Sequence, residues 1–244
     1  MKKSYEQIEN EVKEDIRRFG LNNYEVCKDN DGYAESSEYY AWWFFPDLIE
    51  FHQKIRNETN ILLTINISIL INSAIIVEGF LYELLKQSIS FEILKDDLLN
   101  RMFDDLNKRI DKSTWSDLIN LYRLISNVNL QEITTQENWK SISYLFQTRN
   151  MLTHSKPVKF IINVIDNEPK MRHFDKYENV YKFLIEKRLI EKIDFRKTLE
   201  TNLINSNVAD FFWNESKVFI KNVMESDPKY KDMPINYTYT NIFK

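Results

Sequence analysis

Apolar residues recur at helical spacing through most of the chain. Over residues 4–19, Tyr5, Ile8, Val12 and Ile16 stand among charged neighbours, which predicts a solvated amphipathic helix ending at Gly20. Residues 20–37 are polar, carry Gly32 and read as a loop. An aromatic run from Tyr39 to Phe45 follows. Pro46 then suits the first turn of a helix over about 46–58. The most apolar segment is ILLTINISILINSAIIVEGFLYELLKQSI (61–89), with no charge between Glu58 and Glu78. Thr64, Asn66, Ser68, Asn72 and Ser73 interrupt it, so it predicts a buried central helix and not a bilayer span.

Three amphipathic helices are expected next. They cover 91–110, 113–126 (with Ser113, Thr114 and Asp117 as start signals) and 135–154, the last stopped by Pro157. VKFIINVID (158–166) is β-branched and reads as a short strand or extended loop. Two further helices are expected over 175–190 and 207–226, before a polar-aromatic tail. The fold class is therefore all-α. A bundle of four to five core helices spans 59–228, preceded by an N-terminal helical extension (1–58) and followed by an irregular tail (229–244).

Composition narrows the chemistry. The 244 residues include three glycines, Gly20, Gly32 and Gly79, where roughly 7% is usual. That spacing excludes a P-loop and a GxGxxG turn, which need closely spaced glycines. It also argues against a barrel or sandwich with many tight turns. Lys+Arg is 33 against Asp+Glu 37, a formal charge of −4, so any nucleic-acid role needs a local basic site. Cys27 is the single cysteine and cannot form an internal disulfide. With His52, His154 and His173 it shows no zinc-ligand spacing, so no metal or cofactor is implied. His52 and His173 lie in charged surroundings and read as surface residues. The N-terminus has no apolar signal-peptide region, and a reducing cytoplasm fits best.

The helix at 135–154 carries the candidate chemistry. Its apolar face runs Trp139, Ile142, Leu145 and Leu152, with Arg149 at a stripe position. A buried guanidinium has five donors and a charge to satisfy, so it needs a carboxylate, an anionic ligand or a subunit interface. Asn150 and His154 are four apart and share a helix face. Arg149 and His154, five apart, converge only across a cleft or if the helix end unwinds before Pro157. From Asn138 to Ile165 there is no Asp or Glu, while Lys140, Arg149, Lys156 and Lys159 give +4 over 28 residues. Such an island suits a phosphodiester: arginine clamps phosphate, and histidine exchanges protons near neutrality. Glu78 falls on the stripe Ile71, Ala74, Ile75, Leu81, Leu85, so it is expected to point inward, with Arg149 as its natural partner.

RNMLTH (149–154), within LFQTRNMLTHSKP, resembles the R-x(4–6)-H signature of the HEPN superfamily, including a polar residue after the arginine. The resemblance extends to context, late in a helix of an all-α bundle after a long apolar helix. It implies a metal-independent endoribonuclease that works as a homodimer and leaves 2′,3′-cyclic phosphate ends. By that likeness His154 acts as acid or base, Arg149 stabilises the developing phosphorane charge and Asn150 orients the phosphate or the histidine. Glu78 supports the site, and Lys156 and Lys159 contact RNA. Proteins of this kind resemble toxins of toxin–antitoxin pairs or phage-defence effectors, with an antitoxin or regulatory partner. Some carry a tyrosine two residues past the histidine, where a partner enzyme modifies it; Lys156 stands there instead. The alternatives are a non-catalytic helical module that binds RNA, nucleotide or protein, and a membrane effector using 61–77.

Overall fold

The computed structural model describes residues 24–29, 32–37, 45–55, 62–90, 97–153, 160–165, 168–174, 177–191 and 203–243. The fold is an all-α bundle that carries two β-hairpins. In chain order the elements are β1 (Tyr24–Asp29), β2 (Gly32–Ser37), α1 (Phe45–Ile55), α2 (Leu62–Ser90), α3 (Asp97–Ile110), α4 (Trp115–Ser126) and the short α5 (Leu130–Ile133). Then come α6 (Gln136–Thr153), β3 (Phe160–Ile165), β4 (Glu168–Phe174), α7 (Glu178–Glu186) and α8 (Ser206–Ser226). A 3-10 turn (Pro228–Asp232) leads into α9 (Pro234–Ile242).

The long apolar helix α2 is the axis of the core and touches α1, α3, α4, α6, α8 and α9. It is long and apolar enough to cross a bilayer by length and composition, but here Ile69, Leu70, Ala74, Ile76, Val77, Phe80, Leu81 and Leu84 are all fully buried against other helices. Several buried polar residues of α2 are satisfied within the helix, whereas Asn66 Oδ1 is buried without a partner among the described residues. Ser73 and Ser88 donate to the carbonyls of Ile69 (2.8 Å) and Leu84 (2.7 Å). Gln87 donates to Glu83 at 2.7 Å. α8 lies along α2 and buries Val208, Phe212, Phe219, Ile220 and Val223. α4 starts at the expected place: the Asp117 carboxylate accepts from the Thr114 N–H (2.9 Å) and hydroxyl (2.7 Å), and Asn127 at φ 56° ends it in the left-handed region.

Several expectations need correction. The segment read as a loop over 20–37 contains an antiparallel hairpin, paired from Tyr24↔Ser37 to Asp29↔Gly32. The N-terminal extension is therefore not wholly helical; its expected helix at 4–19 lies outside the described residues. α1, within the expected extension, packs on the bundle: Ile49 is fully buried in the same core cluster. The strand reading of 158–166 holds as β3, and a second strand, β4, pairs with it from Phe160↔Phe174 to Ile165↔Glu168. The tail over 229–244 is not irregular. Tyr230, Met233 and Ile235 are buried, and the Ile235 N–H donates to Gln87 on α2 at 2.8 Å. The C-terminus is thus a layer of the core, recruited because it carries apolar side chains that α2 leaves room to cover. His52 is not a free surface residue: it is partly buried, beside the Phe51 ring at 6.0 Å.

Candidate functional site

Arg149 lies in the last turn and a half of α6, at the edge of its buried face. Its Nη2 donates to Glu78 Oε2 on α2 at 2.7 Å. Nη1 donates to the side-chain oxygen of the adjacent Asn150 at 3.3 Å. The guanidinium stands 5.4 Å from the Phe146 ring centroid, one helical turn earlier. Nε is buried and has no acceptor among the described residues. The Arg149 and Glu78 side chains keep 22% and 29% of their exposure, so the pair is reachable from solvent at one edge.

Glu78 occupies the middle of α2. A helix buried on nearly every side offers no clear inward direction, and Glu78 falls on its least buried stripe with Ile71, Ile75, Tyr82 and Lys86. Glu78 meets its expected partner Arg149, and its side chain is half-buried. Its carboxylate also accepts the backbone N–H of Trp115, the first residue of α4. That N–H is one of the four that a helix start leaves without an internal partner, and the helix dipole favours a negative charge there. Burial pushes the Glu78 carboxyl above the usual carboxylate range; the Arg149 charge and the Trp115 N–H oppose this without cancelling it.

Trp115 supports the site from beneath. Its ring stacks on Phe146 at 4.1 Å with 7° between planes and meets Phe219 edge-on at 6.1 Å. Farther along the same stripe of α2, Tyr82 and Lys86 both reach Asp111 in the α3–α4 turn, at 2.6 and 2.7 Å. The turn is thus fastened to α2 along one helical turn.

The structure brings Arg149, Asn150 and Glu78 together. His154, Lys156 and Lys159 lie outside the described residues; α6 is described to Thr153, whose hydroxyl donates to the Arg149 carbonyl at 2.9 Å. Lys140, the fourth cation of the basic island, stands 3.9 Å from Glu186. The sequence reading missed Trp115 and Phe146. Phe146 could have been found as the residue three before Arg149, on the same helix face. The start signal Thr114 could have marked Trp115 as a free N–H donor.

Compared with known proteins, the chain matches no family model, no curated protein and no solved structure.

Proposed function

We propose that the chain is a metal-independent endoribonuclease of the HEPN type, acting in the cytoplasm as a toxin or phage-defence effector. The observation that carries the reading is an arginine late in a bundle helix, anchored on a partner carboxylate and open to solvent at one edge. It stands five residues before His154 in a stretch without acids. In the reaction the RNA 2′-oxygen attacks the adjacent phosphorus and the P–O5′ bond breaks. His154 takes the 2′ proton or protonates the leaving 5′-oxygen. Arg149 stabilises the charge that develops on the phosphorane oxygens. Asn150 and Glu78 fix the guanidinium, and Lys156 and Lys159 hold neighbouring phosphates. Two copies form the working dimer, and an antitoxin or regulatory partner restrains it.

The test is RNA cleavage by the purified chain with and without EDTA, beside His154→Ala, with circular dichroism to check folding. Cleavage that survives EDTA and disappears in the variant supports the reading. Undiminished cleavage by a folded Arg149→Ala/His154→Ala double variant overturns it.

One observation favours a second reading. Glu78 already neutralises Arg149 at 2.7 Å, an arrangement that suits a structural pair in a non-catalytic module binding RNA, nucleotide or protein. That module binds without turnover, so wild-type cleavage excludes it.

A further inference from the structure

The α3–α4 connection leaves an open cleft of about 510 Å³ between the end of α3 and the start of α4. Lys108, Arg109, Lys112 and Asn120 line it, together with the acids Asp105 and Asp117. Neither acid is in an ion pair with Arg109 or Lys112. Asp117 is engaged by both donors of Thr114, at 2.9 and 2.7 Å. Asp105 stands 3.9 Å from Lys108. The neighbouring Asp111 is held by Lys86 and Tyr82. Arg109 and Lys112 are exposed and have no ion pair among the described residues. The lining therefore carries three cations against two carboxylates, with Arg109 and Lys112 free of direct ion pairs among the described residues and Asn120 as a neutral amide.

Size and lining limit what it takes. The volume is in the range of sites for a nucleotide-sized group and exceeds what one small anion fills. Leu121 is its apolar lining residue, and no aromatic ring lines it, so it offers no platform for base stacking. Its donors suit phosphate oxygens and sugar hydroxyls. Its Lys112 stands three residues before Trp115, whose N–H binds Glu78, a span of at most ~11 Å of chain.

We propose that this cleft binds the sugar–phosphate backbone of single-stranded RNA, with Arg109 and Lys112 as its phosphate ligands. The inference deepens the nuclease reading by giving the substrate a path away from the reacting phosphate, and it rests on that reading for the choice of polyanion.

The test uses the full chain and a single-stranded RNA oligonucleotide with methylated 2′-hydroxyls, which cannot be cleaved by 2′-oxygen attack. Affinity is read by fluorescence anisotropy over a salt series, for the wild type and for Arg109→Gln/Lys112→Gln. Both side chains are exposed, and thermal melting checks that the variant folds. The expected result is affinity weaker by roughly tenfold at low salt, with the slope of log K against log salt reduced by about 1.4, or ~0.7 per lost phosphate contact. Equal affinity and slope in the two proteins overturn the cleft, as does a wild type that does not bind the oligonucleotide. Displacement of the oligonucleotide by adenosine monophosphate at equal concentration also overturns it, since the site would then take a single nucleotide. A wild type that binds with the expected slope difference, yet cleaves no unmodified RNA, leaves the cleft standing and removes the nuclease reading.

Discussion

Arg149 and Glu78 meet at 2.7 Å although 71 residues separate them in the chain. The pair ties α6 to α2, and the Trp115 N–H brings α4 to the same carboxylate. Three helices therefore share one partly buried charge pair. Removing one partner leaves the other charge without its counter-ion in a poorly hydrated place, which costs more than the pair contributes. The geometry of the candidate site and the packing of the bundle are coupled through this contact.

Stability should depend on pH through Glu78. Its pKa in the folded protein lies above the ordinary 4.5, with burial as the main cause. The folded chain thus holds a proton that the unfolded chain has already released. The contribution is fully present below the ordinary carboxylate range and is lost as pH rises through the raised value. Glu78→Gln does not titrate. Wild-type stability measured against this variant should fall as pH increases above 4.5 and level off once the folded carboxyl is ionised. Urea denaturation of both proteins across that interval checks it; a difference that grows in favour of the wild type contradicts the burial argument.

Trp115→Ala should destabilise the bundle by about 2–4 kcal/mol, because it removes a large ring stacked between α6 and α8. The Trp115 N–H survives the substitution, so Glu78 keeps that donor. Chemical denaturation measures the loss. At a temperature where the variant remains folded, RNA cleavage should persist, which separates the packing role of the ring from the positioning role of the backbone.

The helices were legible because their apolar spacing and start signals agree with their tertiary use. Thr114 and Asp117 mark α4 in the sequence and form its cap in the structure. The hairpins were not legible in the same way, because β1, β2 and β4 (YEVCKD, GYAESS and EPKMRHF) are short and rich in polar and charged residues. Their ladders close on Asp29↔Gly32 and Ile165↔Glu168, leaving Asn30-Asp31 and Asp166-Asn167 as the links. Asn and Asp tolerate the left-handed region best after glycine, so they can replace it in two-residue connections. The Glu78–Arg149 contact was legible because a charge on an apolar stripe needs a partner. The depth of Glu78 was not, because α2 is buried on nearly every side and its sequence stripe does not tell inside from outside. The tail misled because its polar residues hid three well-spaced core side chains.

The C-terminal layer should prove necessary for the fold. Ile235 is fully buried, and Ile235→Ala should cost about 2–4 kcal/mol. Deleting the chain after Asp227 removes Tyr230, Met233 and Ile235 together and leaves the Gln87 oxygen without the Ile235 N–H. That truncation should abolish cooperative unfolding, as read by calorimetry. A truncated chain that melts like the full one would mean the layer is an ornament on the bundle.

Arg149→Lys distinguishes a guanidinium chosen for its shape from one chosen for its charge. Lysine keeps the charge and can reach Glu78, so the fold should lose no more than about 1 kcal/mol. It cannot donate to Glu78 and Asn150 in one plane while presenting further N–H groups to a phosphate, as the guanidinium can. If Arg149 stabilises the phosphorane, kcat/KM on RNA should fall by about 10²-fold or more, in line with the loss of one preorganised donor in a reacting site. The melting temperature should barely move. Cleavage that follows stability instead, weakening only as far as the fold weakens, would reassign Arg149 to holding α6 against α2 and leave His154 to find another partner.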